Sequence, residues 1–411
     1  MLTGIKNAAQ SVDSATIMDL LPTRPQLLAL GEPTHGAHRL LSLRNELFQQ
    51  LVEQEGYRTI ALETDCLAGT LVDDYVTGEG PSELSLDEVL ERGLSHDWGA
   101  LPGNRDLVRW MRAYNEGRAA PDRLHFAGFD GPLEITGAAS PRPALTALHD
   151  HLSARLDPDL LPCTAQVLDR LMGTDDRWTD PDAMLDPSRS VGQTAQAREL
   201  RLLADDLVAL LHAQTPQLVA TSSQKDWDRA RLSARTATGL LRYHFWMAEP
   251  SQSRMTWLLS VRDTMMANNL LALAERGPVL VNAHNSHLQR HQSTMTMWDH
   301  PRLQWWSAGA LVSARLGHQY AFLTTALGTM RHQGVDTPPS DTVEGLLYAL
   351  SEERCVVDTP HLAAALAAAP DDKPVARVSP WFGYSPLDPE HLADSDALVF
   401  VRDVDPGPAQ H

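Results

Sequence analysis

The sequence predicts an α/β fold, with a mainly parallel central sheet flanked by helices and a large helical insertion. Two observations carry this. Short apolar runs without strict alternation recur along the chain, as strands covered on both faces should. Between them lie helical patterns, and strands alternating with helices imply a parallel sheet. The predicted strands are Gln26–Leu30, Thr59–Leu62, Leu124–Gly128, Val279–Ala283, Tyr320–Thr324, Cys355–Val357 and Ala397–Val401. Helix Leu40–Glu55 follows the first, with Leu40, Leu43, Leu47 and Leu51 at helical spacing. Leu67–Val76 follows the second strand and Asp106–Asn115 precedes the third.

From about Pro141 to Arg276 no strand is predicted. Leu145–Leu156, Leu160–Met172, Gln196–Gln214, Gln224–Met247 and Arg254–Glu275 read as helices, with Asp175–Ser190 as a Pro- and Asp-rich connection. The expected organisation is a discontinuous α/β core, residues 1–140 and 277–411, interrupted by a helical lid or recognition region at 141–276. No internal repeat is present. The C-terminal Asp403–His411 contains Pro and Gly and is expected to fray.

The chain has 411 residues, 43% hydrophobic and 21% charged, a globular composition. Its net charge of −19 argues against a nucleic-acid partner, which needs basic patches. Cys66, Cys163 and Cys355 lie far apart, so neither a disulfide framework nor a thiolate zinc site is expected. Met1–Lys6 lacks a basic region followed by an apolar core, and no run approaches ~20 apolar residues. A cytoplasmic enzyme without a membrane partner is the expectation; oligomeric state is left open.

Candidate chemistry gathers at strand ends. The first strand opens into Gly31-Glu32-Pro33-Thr34-His35-Gly36, an acid and an imidazole in a tight turn. The second runs into Glu63-Thr64-Asp65, the third into Phe129-Asp130, and the strand at Val279 into His284-Asn285-Ser286-His287. Parallel strands present their carboxyl ends on one edge, so Glu32, His35, Glu63, Asp130, His284 and His287 should converge there. Singly, each has an ordinary reading as a helix cap, turn residue or hydrogen-bonded structural histidine. Together they would be costly to bury without a use. Arg44, on the first helix, is either a surface ion pair or a cation that positions a carboxylate or substrate oxygen.

Three chemistries fit. A histidine could take a proton from water with a carboxylate orienting its ring, and other imidazoles could stabilise an oxyanion. Three His and two Glu could instead ligate zinc, although no HExxH occurs. A serine nucleophile lacks its GxSxG signal, and Ser286 reads as a turn residue. Cys66 is expected to pack on the first face of the following helix.

These residues together resemble the erythromycin esterase family. The resemblance rests on the Gly31–Gly36 turn, Arg44, Leu62-Glu63-Thr64, Trp98, Trp110–Asn115 and Gly128-Phe129-Asp130. It continues through Arg262-Asp263, Met265-Met266-Ala267 and Asn269 to Ala283–His287. It implies an erythromycin esterase-like α/β fold and hydrolysis of an ester or lactone, in some members the macrolactone of macrolide antibiotics. It also implies that His35 is the general base, Glu32 and Glu63 active-site carboxylates, and Arg44, His284 and His287 the rest of the catalytic pocket, with Asp130 and Trp98 binding substrate. Near Trp98 the family often has an acidic residue; here Gly103-Asn104-Arg105 stands in that region, preceded by His96-Asp97.

The resulting expectation is an esterase or lactonase in which His35, oriented by Glu32 or Glu63, activates water without a covalent acyl-enzyme. Its partner is a small ester, lactone or polyketide-like molecule, and no cofactor is required. The alternatives are a natural-product biosynthetic enzyme using the same base for cyclisation, acyl transfer or elimination, a metal-dependent hydrolase, and a non-catalytic binding protein.

Overall fold

The computed structural model describes residues 8–80, 83–134, 136–296, 302–350, 352–368, 373–381 and 383–404. Seven strands form the central sheet: β1 (Leu27–Glu32), β2 (Thr59–Asp65), β3 (His125–Asp130), β4 (Val279–His284), β5 (Tyr320–Thr329), β6 (Arg354–Asp358) and β7 (Ala397–Asp403). Their spatial order is β6–β7–β5–β1–β4–β2–β3. All pairs are parallel except β6 with β7. The mainly parallel α/β fold read from the sequence is the fold observed.

The apolar runs lack alternation because both faces of the sheet are covered. In β1, Leu28 and Leu30 join one core with Leu43, Leu47, Leu51 and Met111 from helices His38–Gln54 and Pro102–Asn115. Leu27 and Ala29 join a second core on the other face, with Met266, Leu270 and Val312. Side chains alternate across a strand, so successive leucines serve opposite layers.

The helical region has its own core. Leu145, Leu148, Leu168, Leu200, Leu207, Ala234 and Ala237 pack together from helices Arg142–Ser153, Ala165–Met172, Ala195–Ala213 and Gln224–Met247. The helix expected over Leu160–Met172 begins only at Ala165, after Pro162, with Thr164 as its N-cap. Helix Arg254–Ala274, read with the insertion, lies against the sheet through Met266, Ala267 and Leu270. It thus links the helical region to the α/β core.

Two antiparallel ribbons, Leu133–Glu134 with Gly137–Ala138 and Gln292–Met295 with Leu303–Trp306, have no counterpart among the predicted strands. Asp403 belongs to β7, while 405–411 and the Met1–Lys6 segment lie outside the described residues. Among the described residues no helix is long and apolar enough to cross a membrane.

Candidate active site

β1, β4 and β2 are neighbours, and their carboxyl ends build one cavity. Glu32 stands directly across from His284 in the β1–β4 register. A Cβ on Gly31 would lie 2.1 Å from Asn285 Oδ1, so only glycine lets Asn285 cross β1. Asn285 Nδ2 donates to the Thr325 carbonyl at 2.9 Å, which fixes the turn carrying His284 and His287. Gly36 closes the first turn at φ +77°, a conformation glycine adopts without strain.

His35 Nδ1–H donates to Glu32 Oε1 at 2.7 Å. A carboxylate can only accept, so this bond leaves Nε2 as the acceptor nitrogen of the neutral ring. Nε2 lies 3.9 Å from Glu63 Oε2. Glu32 is therefore the carboxylate that orients His35, and Glu63 faces the opposite edge of the ring. Burial disfavours charge on His35, but Glu63 and then Glu32 outweigh it, and its pKa is raised.

Glu63 is buried and surrounded by donors. The His284 backbone N–H donates to Oε2 at 2.9 Å and Arg262 Nη2 to Oε1 at 3.2 Å, while His287 Nε2 lies 3.4 Å from Oε1. Burial acts to raise its pKa, yet His287, His35 and Arg262 together hold it well below the usual carboxylate range.

The two later histidines differ. His287 Nδ1–H donates to Asp263, which is fully buried and also accepts from Trp305 Nε1 at 2.8 Å and the Ala308 amide at 2.7 Å. Burial opposes charge on His287, but Asp263 and Glu63 raise its pKa. His284 Nδ1 accepts from Ser286 Oγ at 2.7 Å. Burial first, then the neighbouring His35, push its pKa down to about 3, so it is a neutral ring.

Arg262 and Asp263 lie side by side in helix Arg254–Ala274. Arg262 Nε and Nη2 grip Asp130 at 3.1 and 2.7 Å. Asp130 has no exposed surface, and Arg262 covers it. Burial would raise the Asp130 pKa, but Arg262 lowers it.

Arg44 is neither a surface ion pair nor part of the cavity wall. It is 1% exposed and donates to Asn45 at 2.8 Å and Asn104 at 3.0 Å, with Asn282 at 3.4 Å. Burial lowers its pKa to about 10. Asn104, in the Gly103-Asn104-Arg105 stretch, serves as one of its neutral partners.

The cavity encloses about 240 Å³. His35, Glu63, Arg262, His284, Ser286 and His287 form its polar end, with Trp98 tilted against His35 at 5.1 Å between centroids. Met184, Tyr243, Met255, Leu258, Leu259, Met295 and Trp305 form an apolar wall. His96 stands at the rim, its Nδ1–H donating to Glu134 at 2.6 Å. His96 and Asp97 have φ of +59° and +57°, strained for residues with a Cβ.

Each active-site imidazole thus has a ring nitrogen engaged with a protein group. Among the described residues, the His, Asp and Glu atoms gathered closely enough to hold one ion belong to His291, His391 and Asp394, outside this cavity. The candidates from the sequence, Glu32, His35, Glu63, His284 and His287, do come together, with Trp98 beside them. Arg262 and Asp263 were visible only as part of the family resemblance. Their signal was a charged pair set between Leu258, Leu259, Val261, Met265 and Met266 in one helical stretch. Glu134 and the apolar wall carried no signal in the sequence.

The strand ends of this parallel α/β sheet thus hold a carboxylate-bonded imidazole in a partly apolar cavity. The erythromycin esterase model matches residues 52–404, and the chain belongs to that family. The match begins after the Glu32–His35 turn, so that pair rests on its geometry. Erythromycin esterase type II of Escherichia coli is 28% identical over 126 residues, 30% of this chain; the chain spans 27% of that protein's length.

Three solved structures share the fold. A Bacillus cereus protein superposes with a TM-score of 0.71 at 17% identity, covering 100% of this chain and 98% of its own. A succinoglycan biosynthesis protein gives 0.69 at 16%, covering 98% and 97%. A mutant of the erythromycin esterase EreC in its open conformation gives 0.66 at 18%, covering 96% and 93%.

Proposed function

We propose that this chain hydrolyses a carboxylic ester or lactone by attack of water activated at His35. The observation that carries the reading is the 2.7 Å bond from His35 Nδ1 to Glu32, which leaves a basic Nε2 beside Glu63. A water held between Nε2 and Glu63 is placed to lose its proton to the ring. Its oxygen bonds to the ester carbonyl carbon. The tetrahedral intermediate then expels the alkoxide, which takes the proton from His35, so one water is consumed and an acid and an alcohol result.

Arg262 and His287 are the donors for the developing oxyanion. Arg262 uses Nε and Nη2 on Asp130 and Glu63, leaving Nη1 outside those bonds. His287 is held by Asp263 and has its charged form favoured. His284 is a positioning residue, a neutral ring that braces the β4 end. The apolar wall fits a substrate with an uncharged, hydrophobic body, and its methionines can adapt to shape. A macrolactone or another polyketide-like ester belongs to that class, and no metal is needed in this scheme.

A second reading has one observation behind it: Ser286 Oγ lies 2.7 Å from His284 Nδ1 in the same cavity. A serine nucleophile would need His284 as base, yet its pKa of about 3 makes it a poor one. Incubation with a panel of macrolactones and simple hydrophobic esters should yield products heavier by one water. Ser286→Ala should keep that activity within a few-fold. Loss of turnover in Ser286→Ala together with an acyl adduct on the wild-type protein would establish the serine route instead. Products formed without uptake of water would point to the biosynthetic alternative.

A further inference from the structure

We propose that His291, His391 and Asp394 form a binding site for a divalent transition-metal ion, best matched to Zn²⁺, separate from the catalytic cavity. The three residues come from two distant segments. His291 follows the turn that carries His284 and His287, and His391 and Asp394 lie in the short helix Pro389–Asp394 that precedes β7. Their ligand atoms all fall within 4.8 Å of one another.

The two histidines converge on one carboxylate. The two imidazoles stack at 3.8 Å, with planes 13° apart. Both aim Nδ1 at the same oxygen, Asp394 Oδ2, at 3.0 Å from His391 and 3.2 Å from His291. His391 makes a hydrogen bond there. His291 Nδ1 is buried and lies 3.2 Å from that oxygen without a well-aligned hydrogen bond to it. A buried polar atom left without a well-aligned bond calls for an explanation, and a bound cation is one.

Binding an ion requires one imidazole to turn out of the stack, because nearly parallel rings cannot both hold one ion in their planes. Zinc bonds of about 2.0–2.2 Å in tetrahedral geometry set neighbouring donor atoms roughly 3.3–3.5 Å apart. The observed nitrogen-to-oxygen separations are close to that spacing. Two imidazoles and one carboxylate form a donor set suited to zinc rather than to calcium or magnesium, which prefer oxygen. The histidines line a cavity of about 280 Å³, from which water can supply a fourth ligand. Arg290 already ties the same two segments, donating to the Asp394 carbonyl at 3.2 Å and pairing with Asp396 at 2.6 Å. The two segments that carry the ligands are therefore held together before any ion arrives.

His291 lies four residues beyond His287, and Ser286 lines both cavities. An ion here would pin the end of the catalytic turn to the β7 side of the sheet. Its role is to brace the turn, with no part in bond making.

The test is titration of the chelator-treated protein with Zn²⁺ by calorimetry, with thermal melting in parallel. The wild type should bind one equivalent that raises its melting temperature. His391→Gln and His291→Gln should each weaken that equivalent by more than about 100-fold, since even outer-shell changes cost about 10–100-fold. His35→Gln, which alters the catalytic cavity alone, should retain it. Absence of saturable binding in the wild type, equal affinity in His391→Gln, or loss of the equivalent in His35→Gln instead would each overturn the proposal.

Discussion

At the scale of single residues, the chemistry turns on how carboxylates divide the imidazoles. Glu32 and Glu63 favour a charged His35, so hydrolysis, which needs the neutral ring, should show an acidic limb above the ordinary histidine value of about 6.5. Replacing Glu32 by Gln removes one of the charges that raise this pKa. The limb in a kcat/KM profile should therefore move to lower pH, and the plateau should fall as the base weakens and loses its orientation. A limb that stays in place or moves upward would show that Glu32 does not act on His35. Arg262 gives a second residue-level outcome. Arg262→Lys keeps the charge but loses the planar fork on Asp130 and Glu63. Loss of an oxyanion donor should lower kcat by about 10²–10³-fold with little change in KM. An unchanged kcat in a variant with wild-type melting would remove Arg262 from the chemistry.

At the scale of elements, helix Arg254–Ala274 does more than its sequence pattern announces. It packs Met266 and Leu270 on the sheet, sends Met255 and Leu258 into the cavity wall, and presents Arg262 and Asp263 to two different histidine and carboxylate groups. Helical spacing reveals that the helix exists but not which of its faces meets the sheet, so the sequence groups it with the insertion. Asp263 illustrates the limit. Its partners His287, Trp305 and the Ala308 amide lie on three later segments, and nothing local to residue 263 names them. Asp263→Asn would leave donors facing an amide in a dry site. Breaking such a buried pair costs about 3–5 kcal/mol, which a denaturant midpoint would register. Unchanged stability would mean that Asp263 does not anchor this end of the cavity.

At the scale of the whole molecule, what is legible in the sequence follows from physics. Strands buried on both faces leave unbroken apolar runs, and parallel strands must end on one edge, so Glu32, Glu63, His284 and His287 group together on the order of residues alone. Arg44 could not be placed that way, because it is held by neutral amides from separate segments, Asn45, Asn104 and Asn282, which have no characteristic spacing. The apolar wall is equally hidden, since Met184, Tyr243, Met255 and Met295 meet only after the helical region folds over the sheet. The account stands on His35 as the base. Its most direct test is kcat/KM for ester hydrolysis by His35→Gln beside the wild type, with melting temperature as the control for folding. The expected result is a loss of about 10²–10⁴-fold at unchanged melting temperature. Turnover within a few-fold of wild type would contradict it.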